Sequence, residues 1–394
     1  MPHITSLKLQ GYRPFGDFLA HFDPLEVLVG ANGAGKSALF EFLKFLRDGM
    51  YSDIPPEIVP GSIGQQIFHI PGPERFWWSV EIEWGWEYPL AYQGQLLGPI
   101  GRPQVTEEHV GKPATNMVIV PFLDMQGGQG VAYEEHDETG AAYDDIEVAQ
   151  HPIRTSRPNQ LALSTIVNPT LKTLYSLREY IRDWRFYGAL TVSKDKIRRA
   201  VLTEQQPALQ EDCGNLSAVL HYLMTEHSAL FEELQQHLRL IVPGFKRLNV
   251  KARGGPGEVI AFWQENGVDQ DLSLADLSDG ILRLLCWTVL CLHPNPPTLI
   301  CIDEPDQGVH PRTLPLLAGL FQKASQRTQI LLATHNSYFL TQFELEQIAV
   351  MRKERGEAQF IKPNDSQVLV DILDDFGPDE LENLHRSDEL ERLP

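Results

Sequence analysis

The stretch LEVLVGANGAGKSALFEFL, residues 25–43, decides the fold. Leu25 to Val29 is a short apolar run of the kind a buried strand needs. It ends directly in Gly30-x-x-x-x-Gly35-Lys36-Ser37, after which Leu39, Phe40, Leu43 and Leu46 recur at helical spacing. The expectation is strand, glycine loop, helix. Glycines in such a loop let backbone N–H groups turn inward around a phosphate, and the helix N-terminus adds its dipole. Lys36 would reach the β- and γ-phosphate oxygens, and the Ser37 hydroxyl would ligate Mg²⁺.

A second stretch, LICIDE at 299–304, is an apolar strand ending in two carboxylates. Asp303 is placed to hold Mg²⁺ through water, and Glu304 to polarise an attacking water. Alone the pattern is common, but behind a phosphate loop it points to nucleoside triphosphate hydrolysis. Three further pieces narrow the class. Leu277-Ser278-Asp279-Gly280, followed by Arg283, lies shortly before the acidic strand end. Pro305-Asp306-Gln307-Gly308 follows Glu304 directly, and the run Gln329 to Thr334 is a strand leading into His335. Ser-Asp-Gly is also an ordinary turn, but the three together, in this order, resemble the signature motif, D-loop and switch histidine of ABC-type ATPases.

Working outward, Phe76, Trp78, Val80, Ile82, Trp84 and Trp86 occupy alternate positions over 76–86. Tryptophans in a row could stack bases, but interleaved aliphatics predict a core stripe on an amphipathic strand. Residues 90–160 are rich in Gly, Pro and acids, and 124–147 holds no Lys or Arg, which reads as a solvated loop. The span 160–240 reads as helices. Inside it, Lys172, Arg178, Arg182, Arg185, Lys194, Lys196, Arg198 and Arg199 form a basic cluster, with Arg178, Arg182 and Arg185 expected on one helical face. This is the candidate DNA-contacting surface, against the plainer reading of a solvated helix. After Pro243, strand patterns at 248–251 and 259–263 precede a helix near 280–292, a strand at 299–303, a helix near 313–325 and a strand at 329–333. That alternation predicts α/β with a parallel core. Ten acids in 365–394 suggest a partly ordered, solvent-facing tail.

Composition bounds the function. With 394 residues, 42% hydrophobic and 22% charged, a sizeable core can form and wholesale disorder is excluded. Thirty-three Lys and Arg against 53 Asp and Glu give a net charge of −20. So acidic a chain is no general nucleic-acid coat, and DNA contact would need a local basic patch. No apolar run is long enough to span a membrane and no secretion signal opens the chain, so a cytoplasmic protein is expected. Cys213, Cys286, Cys291 and Cys301 form no CxxC pair, which disfavours zinc and favours free, buried thiols.

ITSLKLQGYRPFGDF (4–18) with the glycine loop resembles the heads of RecF, SMC and OLD-type ATPases. The block running from Leu277 to Leu340 is similar to compact RecF-like, AAA-family (ABC-type) bacterial ATPases, and the likeness covers 1–45 and 270–355. The fold implied is α/β: an ABC-type P-loop ATPase head with a mixed sheet core, a β-rich N-terminal lobe and a helical insertion lobe. The segments expected are 1–155 (P-loop and β-rich insertion), 156–245 (helical), 246–364 (signature, acidic strand and switch histidine) and the tail 365–394.

The resemblance implies that two heads sandwich two ATP molecules with Mg²⁺. Gly30, Asn32, Gly33, Gly35, Lys36, Ser37 and Ala38 would bind nucleotide, with Ser37 and Asp303 holding the metal. Glu304, Lys36 and His335 would carry catalysis, His335 sensing the γ-phosphate. Ser278 and Gly280 of one copy would face the nucleotide of the other, with Arg283 supporting the signature turn and Asp306 communicating between sites. Gln65 or Gln66 are candidates for the glutamine that links the metal to the regulatory lobe. Roughly 240 residues separate Lys36 from Ser278, too few for the long coiled coil of SMC proteins and too many for a transporter subunit. No TOPRIM-like acidic cluster follows His335, so a nuclease is not expected. The expectation is a homodimerising ATPase acting as a switch in a DNA-linked process, repair or anti-phage defence. The alternative is a regulatory scaffold holding a separate nuclease or toxin effector without touching DNA.

Overall fold

The computed structural model describes residues 1–62, 67–114, 117–134, 149–188, 194–197, 199–366, 379–387 and 389–390. The chain forms two units. One contains the chain up to Trp184 together with the strands that follow Leu345; the other contains Arg185–Glu344 and the helix Asp379–Arg386.

The first unit is dominated by an antiparallel sheet of eight strands. His3–Tyr12 lies between Phe15–His21 and Arg75–Glu83, and the sheet continues through Leu90–Leu97, Gln104–Ala114, Met117–Gln126, Gln129–Tyr133 and Gln150–Arg154. The alternation read at 76–86 shows its meaning here. Phe76, Trp78, Val80 and Ile82 are buried on one face, while the strand stops at Glu83 and leaves Trp84 and Trp86 half-buried beyond it. On the buried face Phe45 meets Phe76 edge-on at 5.6 Å and Trp78 at 6.1 Å. Such pairs contribute about 0.5–1.5 kcal/mol each beyond their area, and they fasten the helix Lys36–Gly49 to the sheet. Leu39, Leu43 and Leu46 of that helix are fully buried, as their spacing predicted. In the same unit Leu25–Val29 pairs in parallel with Ile348–Glu354, which pairs antiparallel with Glu357–Ile361. The pairing is mixed because a hairpin adds the last strand.

Where it is described, over 124–134, the acidic span read as a loop is mostly strand, the end of Met117–Gln126 followed by Gln129–Tyr133. Asp124 lies on Met117–Gln126 and faces His109 at 3.0 Å, and Glu134 pairs with His151 at 2.6 Å. Strand partners across the ladder supply the imidazoles that face these carboxylates, a long-range pairing that composition does not reveal. The remainder of that run, 135–148, lies outside the described residues.

In the second unit Arg185–Tyr187, Leu299–Asp303 and Gln329–Ala333 run parallel. The helices Asp279–Leu292 and Leu314–Ala324 pack against each other beside them. The strands Phe245–Ala252 and Glu258–Glu265 form an antiparallel pair, extended by Val201–Leu202 and Leu272–Ser273. The helices Leu216–Glu226 and Ser228–Ile241 pack there, and Ser217 Oγ accepts from the Ala261 N–H at 3.0 Å. The four cysteines are buried free thiols, and burial pushes the Cys291 thiol up to about 12. The tail is not wholly solvent-facing: Asp379–Arg386 is a helix whose Leu381 and Leu384 are buried, and His385 Nδ1 shares a hydrogen bond with Ser337 Oγ at 2.7 Å. Among the described residues no helix is long and apolar enough to cross a membrane.

Candidate functional site

In the first unit the fully buried strand Leu25–Val29 delivers the chain into the glycine loop. Gly30, Gly33 and Gly35 have φ of 141°, 83° and 113°. Gly30 is required on two grounds. Its φ disfavours an L side chain, and a Cβ there would overlap the Met351 carbonyl oxygen. Gly35 is the N-cap of the helix Lys36–Gly49, whose start lies directly after the glycine loop, where a helix dipole favours an anion. Lys36 is 5% exposed, and its ammonium donates to the carbonyls of Gly30 and Ala31. Asn32 and Ser37 are exposed and Ala38 half-buried. A glycine loop with three positive-φ positions, a confined ammonium and an exposed hydroxyl at a helix start fit a polyphosphate. Hydroxyl and carboxylate oxygens are the hard donors that suit Mg²⁺.

In the second unit Asp303 lies opposite Ala333 on parallel strands, so the acidic strand end and the histidine that follows Thr334 emerge side by side. Glu304 leaves its strand with φ 55°, and its N–H donates to the Ala333 carbonyl at 2.8 Å. A non-glycine residue in that region costs on the order of 1 kcal/mol or more. The turn brings Glu304 Oε1 to 3.8 Å from His335 Nε2.

Behind them the segment 305–308 is pinned from three directions. The Trp287 indole N–H donates to the Pro305 carbonyl at 3.0 Å in a buried position. Thr334 donates to Asp306 Oδ1 at 2.7 Å, and Arg283 donates to the Gln307 carbonyl and, at 2.9 Å, to its side-chain oxygen. Ser278 caps the helix Asp279–Leu292 by accepting from the Ile281 N–H at 3.3 Å. Gly280 must be glycine because a Cβ would overlap the Gly308 carbonyl oxygen. The signature turn and the segment after the acidic strand are thereby packed as one body.

Thus Ser278, Gly280, Arg283, Asp303, Glu304, Asp306 and His335 are gathered in the second unit, while Gly30, Asn32, Gly33, Gly35, Lys36, Ser37 and Ala38 form the loop of the first. Gln65 and Gln66 lie outside the described residues. Thr334, Trp287 and Gln307 were not anticipated; only their closeness in sequence to His335, Arg283 and Asp306 could have marked them.

The expected basic face is corrected. The helix ends at Arg182, and Arg185 opens the strand Arg185–Tyr187 instead of continuing the face. Arg178 is buried, donating to the Ile166 carbonyl and to Glu179 at 2.7 and 3.0 Å. Arg182 donates to Glu179 at 3.1 Å and lies 4.5 Å over the Tyr51 ring. Lys196 pairs with Asp212. The side chains of Lys194 and Arg198 lie outside the described residues. The acid at 179, one position from Arg178 and three from Arg182, turns that part of the candidate phosphate surface into ion pairing within the chain, while Lys172 and Arg199 are exposed.

Comparison with known proteins agrees with this geometry. An Smc head bound to the C-terminal winged-helix domain of ScpA superimposes with a TM-score of 0.56 at 12% identity, covering 91% of this chain and 97% of that one. The Smc head with an extended coiled coil from Pyrococcus furiosus, bound to the C-terminal domain of ScpA, gives 0.57 at 10% identity over 95% and 100%. At such identities the likeness establishes the fold: an SMC-head, ABC-type ATPase fold. An AAA domain family matches residues 6–70, and the family described as "AAA domain, putative AbiEii toxin, Type IV TA system" matches residues 145–341. The chain belongs to this second family and is an AAA-family ATP hydrolase with an SMC-head-like fold.

Proposed function

We propose that the chain is an ATP-gated switch in which two copies close over two Mg·ATP and separate after hydrolysis. The observation that carries this reading is the convergence of Glu304 and His335 at the ends of adjacent parallel strands, on a turn strained at Glu304. Lys36 holds the β- and γ-phosphate oxygens. Ser37 and Asp303 would hold Mg²⁺, which would supply charge neutralisation of the phosphates. Glu304 takes the proton of the attacking water, and His335 senses the γ-phosphate beside it. Ser278 and Gly280 of a second copy close the site, while Arg283 and Asp306 join that contact to the acidic strand end.

For the output of the switch, a protein effector held and released is the better-supported reading. Two of the arginines that would have met DNA, Arg178 and Arg182, are engaged within the chain, and the net charge of −20 disfavours long phosphate backbones. The family description, which names a toxin system, points the same way. A direct DNA-linked role in repair or phage defence is the competing reading. ATP turnover measured with and without double-stranded DNA separates the two, with Glu304→Gln as the inactive control. Turnover insensitive to DNA and abolished in the control supports the protein-regulated switch; strong stimulation by DNA overturns it.

A further inference from the structure

Outside the ATPase machinery, the first unit carries a cleft of about 580 Å³. One wall is the sheet face opposite the aromatic core, where the register aligns Gln10, Trp77, Gln95 and Glu107 across four consecutive strands. The other wall is the turn His69–Pro73, and Lys8 and Arg75 line the cleft as well. Trp77 faces away from the buried Phe76 and Trp78 by strand alternation, and it is half-exposed.

The polar groups are held in place. The Gln95 side-chain oxygen accepts from Thr106 Oγ at 3.2 Å, and Gln10 donates to Asp17 at 3.0 Å. His69 Nδ1 donates to the Arg13 carbonyl at 2.8 Å, which fixes its ring. A planar indole beside fixed amides and a carboxylate, with two permanent cations on the same cleft, is a specific combination. An indole stacks any base. A carboxylate and amides suit the amino and ring N–H edges of bases, and Lys and Arg suit phosphate. The volume falls within the range of small-ligand sites.

We propose that this cleft binds a single nucleotide moiety: base on Trp77, base edge toward Gln95 and Glu107, phosphate toward Lys8 and Arg75. The site accounts for ligand recognition by an acidic protein because one nucleotide brings little of the repulsion that a long backbone would. None of its lining residues belongs to the phosphate loop, and it would give the ATPase a second nucleotide input. A free nucleotide and one residue of a single strand present this same chemistry, and the test separates them.

The test is calorimetric titration of Lys36→Ala protein, whose phosphate loop is disabled, with each nucleoside monophosphate and with six-residue single-stranded oligonucleotides. Binding is expected to weaken about tenfold or more on Trp77→Ala, as loss of one stacked base does, and to be retained by Trp77→Phe. Trp77→Ala in the otherwise unaltered chain should keep its basal ATP turnover, which shows that the fold stands. Saturable binding of monophosphates assigns a free nucleotide; binding of oligonucleotides alone assigns a strand. Absence of both, or binding indifferent to Trp77→Ala, overturns the proposal.

Discussion

Thr334 donates its hydroxyl hydrogen to Asp306 Oδ1 across 2.7 Å, with both side chains buried. The same hydroxyl oxygen accepts from the Asn336 N–H at 3.0 Å. One side chain therefore ties the segment after Glu304 to the segment around His335. Asp306 in turn belongs to the segment packed against the turn that holds Ser278 and Gly280.

Thr334→Val keeps the shape and removes the donor. A buried acceptor without its donor costs about 1–3 kcal/mol, so the denaturation midpoint should fall. Turnover should fall with it while ATP affinity, set by the Lys36 loop, holds. An unchanged midpoint would show that Asp306 does not depend on this bond.

Glu304→Gln should lower kcat by about 10²–10⁴, the usual contribution of a positioned base, without loss of ATP binding. Glu304→Gly should lose turnover as fully. It should nevertheless match or exceed the wild-type thermal midpoint, because glycine adopts φ 55° without the strain that glutamate bears. A markedly less stable glycine variant would mean that the glutamate side chain stabilises the turn it strains.

Glu108 gives the chain a stability that depends on pH. Burial pushes its carboxyl up to about 7 from 4.5, against the opposing pull of the Leu163 and Ala162 N–H groups and the Tyr92 hydroxyl. Between these values the folded chain keeps a proton that the unfolded chain has released. The group therefore costs nothing below about pH 4.5, and its cost grows as pH rises towards 7, reaching about 3 kcal/mol. Glu26, pushed up to about 8 by burial against the opposing pull of Lys362, acts in the same direction. The relevant measurement is accordingly the difference between wild type and Glu108→Gln in denaturant unfolding. From pH 5 to pH 8 that difference should move in favour of Glu108→Gln; a constant difference would remove Glu108 as the cause.

Arg178→Ala should destabilise the chain by about 1–3 kcal/mol, since it leaves the Ile166 carbonyl without its donor. The salt dependence of any DNA binding should stay as it was in the folded protein. A shallower salt slope with an unchanged midpoint would return Arg178 to the DNA-contacting role.

Much of the site was legible because its parts are local. The run from Leu25 to Ser37 declares strand, loop and helix within a few residues, and the strands at 299–303 and 329–333 were placed to the residue by their apolar runs. What escaped depends on partners distant in sequence. Nothing near Glu26 announces Lys362, which pairs with it at 2.7 Å, and nothing near Asp124 announces His109. The basic cluster misled for a related reason. Counting charges over 172–199 treated Arg178 and Arg182 as exposed, whereas Glu179 binds both and the helix stops before Arg185. The tail misled in the same way, because Leu381 and Leu384 are sparse among acids yet find a surface to bury against.

The central claim is that ATP brings two copies together, and the most direct test is the solution mass of Glu304→Gln protein with and without Mg·ATP. Blocked hydrolysis should hold the closed state, so the mass should be twice the chain's with nucleotide and once without. The double variant Lys36→Ala, Glu304→Gln should stay at one chain in both conditions. A Glu304→Gln protein that binds ATP yet remains at the mass of one chain would contradict the account.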